Sequence, residues 1–97
     1  MERGGVVYIM TNHTCTVLYV GVTSKIEHRI IEHRQQLYAQ SFTAKYNAGK
    51  LVYYRSFSSI EEAIAEEKKI KGGSRAKKIK LINSMNPDWK DLSEELI

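Results

Sequence analysis

The chain has 97 residues, 42 % hydrophobic and 27 % charged, with a net charge of +4 and a pI near 9.2. This balance excludes a disordered chain, and no apolar run approaches the roughly 18 to 20 residues that cross a bilayer, so a soluble, cytoplasmic protein without membrane association is expected. The size leaves room for one core, predicting a single domain over residues 1–97 with its core at about 5–85 and an acidic tail at 87–97. Cys15 has no second cysteine to bridge to, and the histidines are scattered, which removes the disulfide-scaffold and zinc-module classes.

The first predicted elements are two strands, Val6 to Met10 and Val17 to Gly21, around a polar Thr- and Asn-rich segment from Thr11 to Thr16, the pattern of an antiparallel hairpin. A turn centred between His13 and Thr14 puts Tyr8 opposite Tyr19 and projects both phenols from one face. Ser24 followed by Glu27 has the spacing of a capping box and opens a first helix expected to reach about Tyr38. Ile26, Ile30, His33 and Leu37 recur at the helical period, so His33 lies on or beside the buried stripe. The stretch Gln40 to Lys50 reads as a loop, and Leu51 to Phe57 as a third strand rich in residues that suit a pleated surface.

A second helix opens at Ser59, with Glu62 completing its box, and stops at Gly72-Gly73. Its inward stripe runs Ile60, Ala63, Ile64, then Glu67, then Ile70 or Lys71, while Glu66 falls with Glu62 and Lys69 on the wet side. A carboxylate on an inward stripe needs a metal ion, an arginine or a hydrogen-bond donor such as a phenol to meet it. A third helix starts near Ser74, buries Ala76, Ile79 and Ile82, and ends before Asn86-Pro87, with Trp89 and Leu92 folding back over an edge of the core. The order β-β-α-β-α-α predicts a small α+β domain, a three-stranded, mainly antiparallel sheet packed by helices, with the third strand free to join either edge.

The basic residues concentrate between Lys68 and Lys80, in Lys68, Lys69, Lys71, Arg75, Lys77, Lys78 and Lys80. Such a cluster suits a polyanionic partner and equally suits a solvated helix surface.

Val7-Tyr8-Ile9 followed by Tyr19-Val20-Gly21 resembles the paired motif that names the GIY-YIG nucleases. The likeness continues through Arg29 and His33, similar to the family's Arg-x-x-x-His, and through Glu67, similar to its single metal-binding glutamate. It covers nearly the whole chain, because Phe42 to Asn47, Leu51 to Tyr54 and Lys71 to Arg75 resemble the compact, stand-alone bacterial branch. The first motif departs from the name-giving order, so its tyrosine carries over and its neighbours do not. A late asparagine used by some members has two candidates, Asn83 and Asn86.

The resemblance implies an endonuclease that hydrolyses DNA, in branched, damaged or single-stranded forms, with one divalent cation, Mg²⁺ or Mn²⁺, on Glu67. Tyr8, Tyr19, Arg29, His33 and Glu67 would form the catalytic set, Gly21 a structural position, and Lys45, Tyr46, Lys71 and Arg75 the nucleic-acid contacts. The chemistry agrees with the requirements of phosphodiester cleavage: a nucleophilic water, positive charge on the phosphate and a stabilised leaving oxygen. Arg29 would grip the phosphate in a bidentate way. Tyr8 is a candidate base, Tyr19 would orient water or phosphate, and His33 could serve as base or relay. A tyrosine base at neutral pH requires cations that lower a pKa near 10.

Each element also has an ordinary explanation. Paired tyrosines pack in many hairpins, an Arg and a His four apart decorate many helices, and Glu67 could simply pair with Arg29. A nucleic-acid-binding module that is inactive alone, or needs a partner, is the alternative function, and a purely structural interaction domain is the third.

Overall fold

The computed structural model describes residues 4–35 and 48–96, excepting the side chains of 33–35. Three strands, β1 (Gly5–Thr11), β2 (Leu18–Thr23) and β3 (Lys50–Phe57), form one antiparallel sheet in the order β2-β1-β3. Among the described residues the helices are α1 (Ile26–Gln35), α2 (Ile60–Lys71) and α3 (Arg75–Met85), followed by a 3₁₀ turn at Leu92–Glu95. The architecture is the expected α+β order, and β3 takes the edge beside β1 rather than beside β2.

The central position of β1 explains its burial on both faces. Its alternating side chains divide between two apolar clusters. Val7 and Ile9 point to one, with Val20, Val52, Tyr53, Ala63, Ile70 and Ile82, so this cluster lies under α2 and α3. Tyr8 and Met10 point to the other, with Ile26, Ile30, Ala48, Leu51 and Leu92, under α1 and the 3₁₀ turn. The pairing of β1 with β3 shifts register between Ile9 and Met10. This leaves Val52 as an extra residue, and Val52 and Tyr53 therefore both reach the α2–α3 cluster while Leu51 joins the α1 cluster.

The hairpin register differs from the expected one. Tyr8 faces Gly21, and Met10 faces Tyr19. The cause is Asn12, whose Oδ1 accepts from the backbone N–H groups of Thr16 at 2.8 Å and Val17 at 3.0 Å, while its Nδ2 donates to Thr16 Oγ1 at 2.7 Å. That side chain organises the turn further along the chain, with Cys15 in the left-handed region at φ 59°. A slip of two residues keeps parity, so the phenols remain on one face, as diagonal neighbours.

Helix α1 begins at Ile26, past Ser24: Thr23 Oγ1 accepts from the Lys25 N–H at 3.0 Å, and the Lys25 carbonyl accepts from Arg29 N–H at 3.1 Å. Helix α2 starts as expected, Ser59 accepting from Glu62 N–H at 3.2 Å, while the Glu62 carboxylate takes Ser58 and Ser59 hydroxyls at 2.7 and 3.1 Å. Those hydroxyls, Ser58 first, hold the Glu62 carboxyl below the usual carboxylate range. Its buried stripe is Ala63 and Ile70. The stripe therefore runs between Glu66 and Glu67, and two expectations are corrected: Ile64 is exposed, and Glu66 is half-buried with Arg55 4.0 Å away.

Ser74 caps α3 through Lys77 N–H, and Ile82 is buried, but Ala76 is exposed and Ile79 only half-buried. Only the later part of α3 reaches the sheet, because its first residue, Arg75, is drawn to the hairpin, donating from Nη2 to the Thr16 carbonyl at 3.0 Å. Trp89 packs at the edge of the α2–α3 cluster and Leu92 enters the α1 cluster, as expected. Asp91 Oδ1 ties this last segment to the sheet by accepting from Leu51 N–H at 3.2 Å. Among the described residues no helix is long and apolar enough to cross a membrane.

Candidate active site

Tyr8 is the residue around which the candidate groups gather. Its side chain is 2 % exposed, and its ring lies 6.3 Å from that of Tyr19, tilted by 45°. The ring passes over Gly21 in the neighbouring strand. A Cβ at Gly21 would fall 2.5 Å from Tyr8 Cζ and 2.9 Å from Cε2, closer than carbon atoms pack. Gly21 thus serves by leaving room for a phenol, and its backbone φ is not positive.

Burial pushes the Tyr8 phenol far above the ordinary tyrosine value. After burial, the groups acting on it are Tyr19, whose effect is also upward, then Arg29, which pulls down, then the carboxylates of Glu32 and Glu67, which push up. Contributions from β2, α1 and α2 therefore reach one hydroxyl on β1. The cationic lowering expected of a tyrosine base is present through Arg29, but it is outweighed by burial, so the phenol keeps its proton at neutral pH.

Arg29 sits on α1 with its guanidinium partly in solvent and its Nε 3.6 Å from Glu32 Oε1. It is not paired with Glu67 by any contact described here; Glu67 takes Lys71 instead. Glu67 Oε2 lies 2.7 Å from Lys71 Nζ, with the glutamate side chain 12 % and the lysine side chain 54 % exposed. Glu32 was not singled out by its sequence. Its signal was present, since i,i+3 spacing from Arg29 puts the two on one helix face.

The backbone of His33 belongs to α1, and its side chain lies outside the described residues, as do Lys45 and Tyr46 altogether and the expected helix end near Tyr38. Arg75 contacts the hairpin turn rather than the Glu67 carboxylate. Both late asparagines hold structure. Asn86 is buried, donating to the carbonyls of Val52 at 3.2 Å and Lys90 at 2.8 Å, and Asn83 Oδ1 accepts from Trp89 Nε1 at 2.7 Å. Tyr54, level with Tyr8 on β3, donates to Glu95 at 3.2 Å, and burial followed by that bond raises its pKa.

No group of three or more His, Cys, Asp or Glu side chains forms a ready metal cage among the described residues. Glu67 offers a single hard oxygen donor set. That fits a Mg²⁺- or Mn²⁺-type cation whose remaining positions are filled by waters and phosphate oxygens, and it does not fit a cation held by protein alone.

Comparisons with known proteins bear on the family of the chain. The chain is 37 % identical over 71 residues to a UPF0213 protein of Syntrophus aciditrophicus, covering 73 % of this chain and 80 % of that one. It is 41 % identical over 66 residues to a UPF0213 protein of Staphylococcus saprophyticus, covering 68 % and 79 %. The solution NMR structure of a UPF0213 protein from Bacillus halodurans superimposes with a TM-score of 0.55 at 28 % identity, covering 93 % of this chain and 94 % of that one. Residues 4–80 match the model of the GIY-YIG catalytic domain, and the chain belongs to the GIY-YIG nuclease family.

Proposed function

We propose that this protein is a divalent-cation-dependent endonuclease that hydrolyses phosphodiester bonds in DNA, acting on branched, damaged or single-stranded forms. The observation that carries this reading is the buried Tyr8 phenol beside Tyr19, rings 6.3 Å apart, with Arg29 on α1 and the mostly buried Glu67 on α2 both acting on it. A domain of this size has no separate reader of base sequence, so recognition falls on backbone and shape.

Arg29 takes the phosphate, its fork matching two oxygens at once. Glu67 would hold the Mg²⁺ or Mn²⁺, which would supply positive charge against the negative charge developing on the phosphate. Tyr19, half-buried beside Tyr8, orients the water or a phosphate oxygen. Tyr8, protonated in the cation-free chain, donates a hydrogen bond to the phosphate or water, and it becomes a base only when further positive charge arrives. His33 is the other candidate for base or relay, with a pKa that ordinarily lies near neutrality.

The test is a screen of labelled duplex, single-stranded, flap and junction DNA with Mg²⁺ or Mn²⁺. The expected result is cation-dependent cleavage that falls by about a thousandfold in Glu67→Ala, the scale of losing one main source of charge stabilisation. Cleavage that survives Glu67→Ala, or the combined Tyr8→Phe and Arg29→Ala change, overturns the assignment. The second reading, a binding module inactive alone, draws on two features: Lys71 sits on Glu67, and Tyr8 is held neutral. Salt-sensitive DNA binding without cleavage of any substrate would favour it.

A further inference from the structure

The Glu67–Lys71 pair joins a mostly buried glutamate side chain to a lysine side chain about half exposed, at 2.7 Å. A carboxylate so buried is costly without a counter-ion, and a glutamate four residues before a lysine is the orientation that suits a helix. Lys71 closes α2, with Gly72 and Gly73 beyond it, so its side chain has room to leave toward solvent. Among the described residues, the charged groups acting on the phenol, counted with this partner, are Arg29 and Lys71 against Glu32 and Glu67, which sum to zero. A site neutral in itself gains little by taking a dication alone or a phosphodiester alone, and more by taking both.

We propose that Lys71 is the resident counter-ion of Glu67: a divalent cation binds by displacing the Lys71 ammonium from the carboxylate, and the released ammonium then takes a phosphate oxygen of the nucleic acid. The proposal rests on the reading of Glu67 as the cation-holding residue. It makes Lys71 a positioning residue that couples the two ligands. The displacement is an exchange of ionic partners, with no covalent change and no proton transferred.

The experiment follows Mn²⁺ binding to the full chain, without nucleic acid, by paramagnetic broadening of backbone amide signals near residue 67, for wild type, Lys71→Met, Lys71→Arg and Glu67→Gln. Relief from a partly exposed ion pair predicts Mn²⁺ binding about two- to fivefold tighter in Lys71→Met. Lys71→Arg should stay near wild type, and Glu67→Gln should lose the site. Anisotropy with a cleavage-resistant phosphorothioate oligonucleotide then reads the coupling: Mn²⁺ should strengthen binding of wild type more than of Lys71→Met.

Unchanged or weaker Mn²⁺ binding in Lys71→Met, while Glu67→Gln abolishes it, overturns the role of Lys71 and leaves Glu67 intact. Wild-type Mn²⁺ binding in Glu67→Gln overturns the reading of Glu67, and this proposal with it. An equal Mn²⁺ effect on oligonucleotide binding in both chains overturns the coupling. The spectra themselves report whether each variant is folded.

Discussion

The two faces of β1 are built from alternate residues of one strand, yet they do opposite work. Under α2 and α3, Val7 and Ile9 are fully buried in an apolar cluster with Val20, Val52, Tyr53, Ala63, Ile70 and Ile82. On the other face Tyr8 and Met10 lie beneath the charged helix α1, and the charges of Arg29, Glu32 and Glu67 all act on the phenol. The strand's period of two lets a single segment anchor the fold and present chemistry. Stability should therefore depend chiefly on the odd-numbered residues and activity on the even-numbered ones.

The sharpest way to break this comparison is Ile9→Ala. Ile9 is fully buried, and its truncation should cost about 2–5 kcal/mol of unfolding free energy, measured by urea denaturation. At a temperature where the variant stays folded, cation-dependent cleavage should persist. A loss of cleavage without a comparable loss of stability would mean that the apolar face is part of the catalytic device.

Gly21→Ala should follow in size. The added methyl collides with the Tyr8 ring, whose rigid geometry leaves only a shift of strand or phenol as relief, at about 1–3 kcal/mol. Here activity should fall further than stability, because the group displaced is the one around which the charges gather. The smaller Tyr8→Phe/Gly21→Ala double variant tells the causes apart: if the methyl harms only through the hydroxyl contact, the two changes will not add.

How much of this was legible is best judged residue by residue. The inward position of Glu67 followed from the helical period, and the shared face of Tyr8 and Tyr19 from the strand period, since both depend only on local geometry. The hairpin register did not follow, because it is set by one Asn12 side chain whose bonds to Thr16 and Val17 no propensity encodes. The exposure of Ala76 and Ile64 reflects how far α2 and α3 are rotated against the sheet, a tertiary quantity to which a stripe of apolar residues is a loose guide. Lys71 was read as a nucleic-acid contact, and its hold on Glu67 emerged only from the folded helix.

The buried phenols also predict a pH signature, Tyr8 and Tyr54 from the even face and Tyr53 from the odd one. Tyr8, Tyr53 and Tyr54 all have pKa values raised by burial, with a bond to Glu95 adding to Tyr54. A phenol that holds its proton more tightly when folded leaves stability intact below the ordinary value near 10. Above that value the unfolded chain releases protons that the native chain retains, so stability falls as pH rises, by at most about 1.4 kcal/mol per pH unit for each retained proton. Urea midpoints between pH 8 and 11 should show this decline, and Tyr8→Phe should flatten it more than Tyr54→Phe, whose hydroxyl is nearer solvent. An unchanged slope in Tyr8→Phe would place the phenol in water and dissolve the contrast between the faces.

The smallest effect sharpens the comparison through α2, which packs its Ala63 and Ile70 on the odd face while its Glu67 carboxylate, paired with Lys71, acts on the Tyr8 phenol. Ser59→Ala removes the N-cap that accepts the Glu62 N–H and should cost about 1 kcal/mol. The loss frays the first turn, and Glu67 stands two turns further along, anchored between Ala63 and Ile70. Denaturation should therefore register the substitution while cation-dependent cleavage does not. If cleavage drops in step with stability, the helix moves as one rigid lever from its cap, and the apolar packing of α2 positions the carboxylate far less firmly than its burial implies.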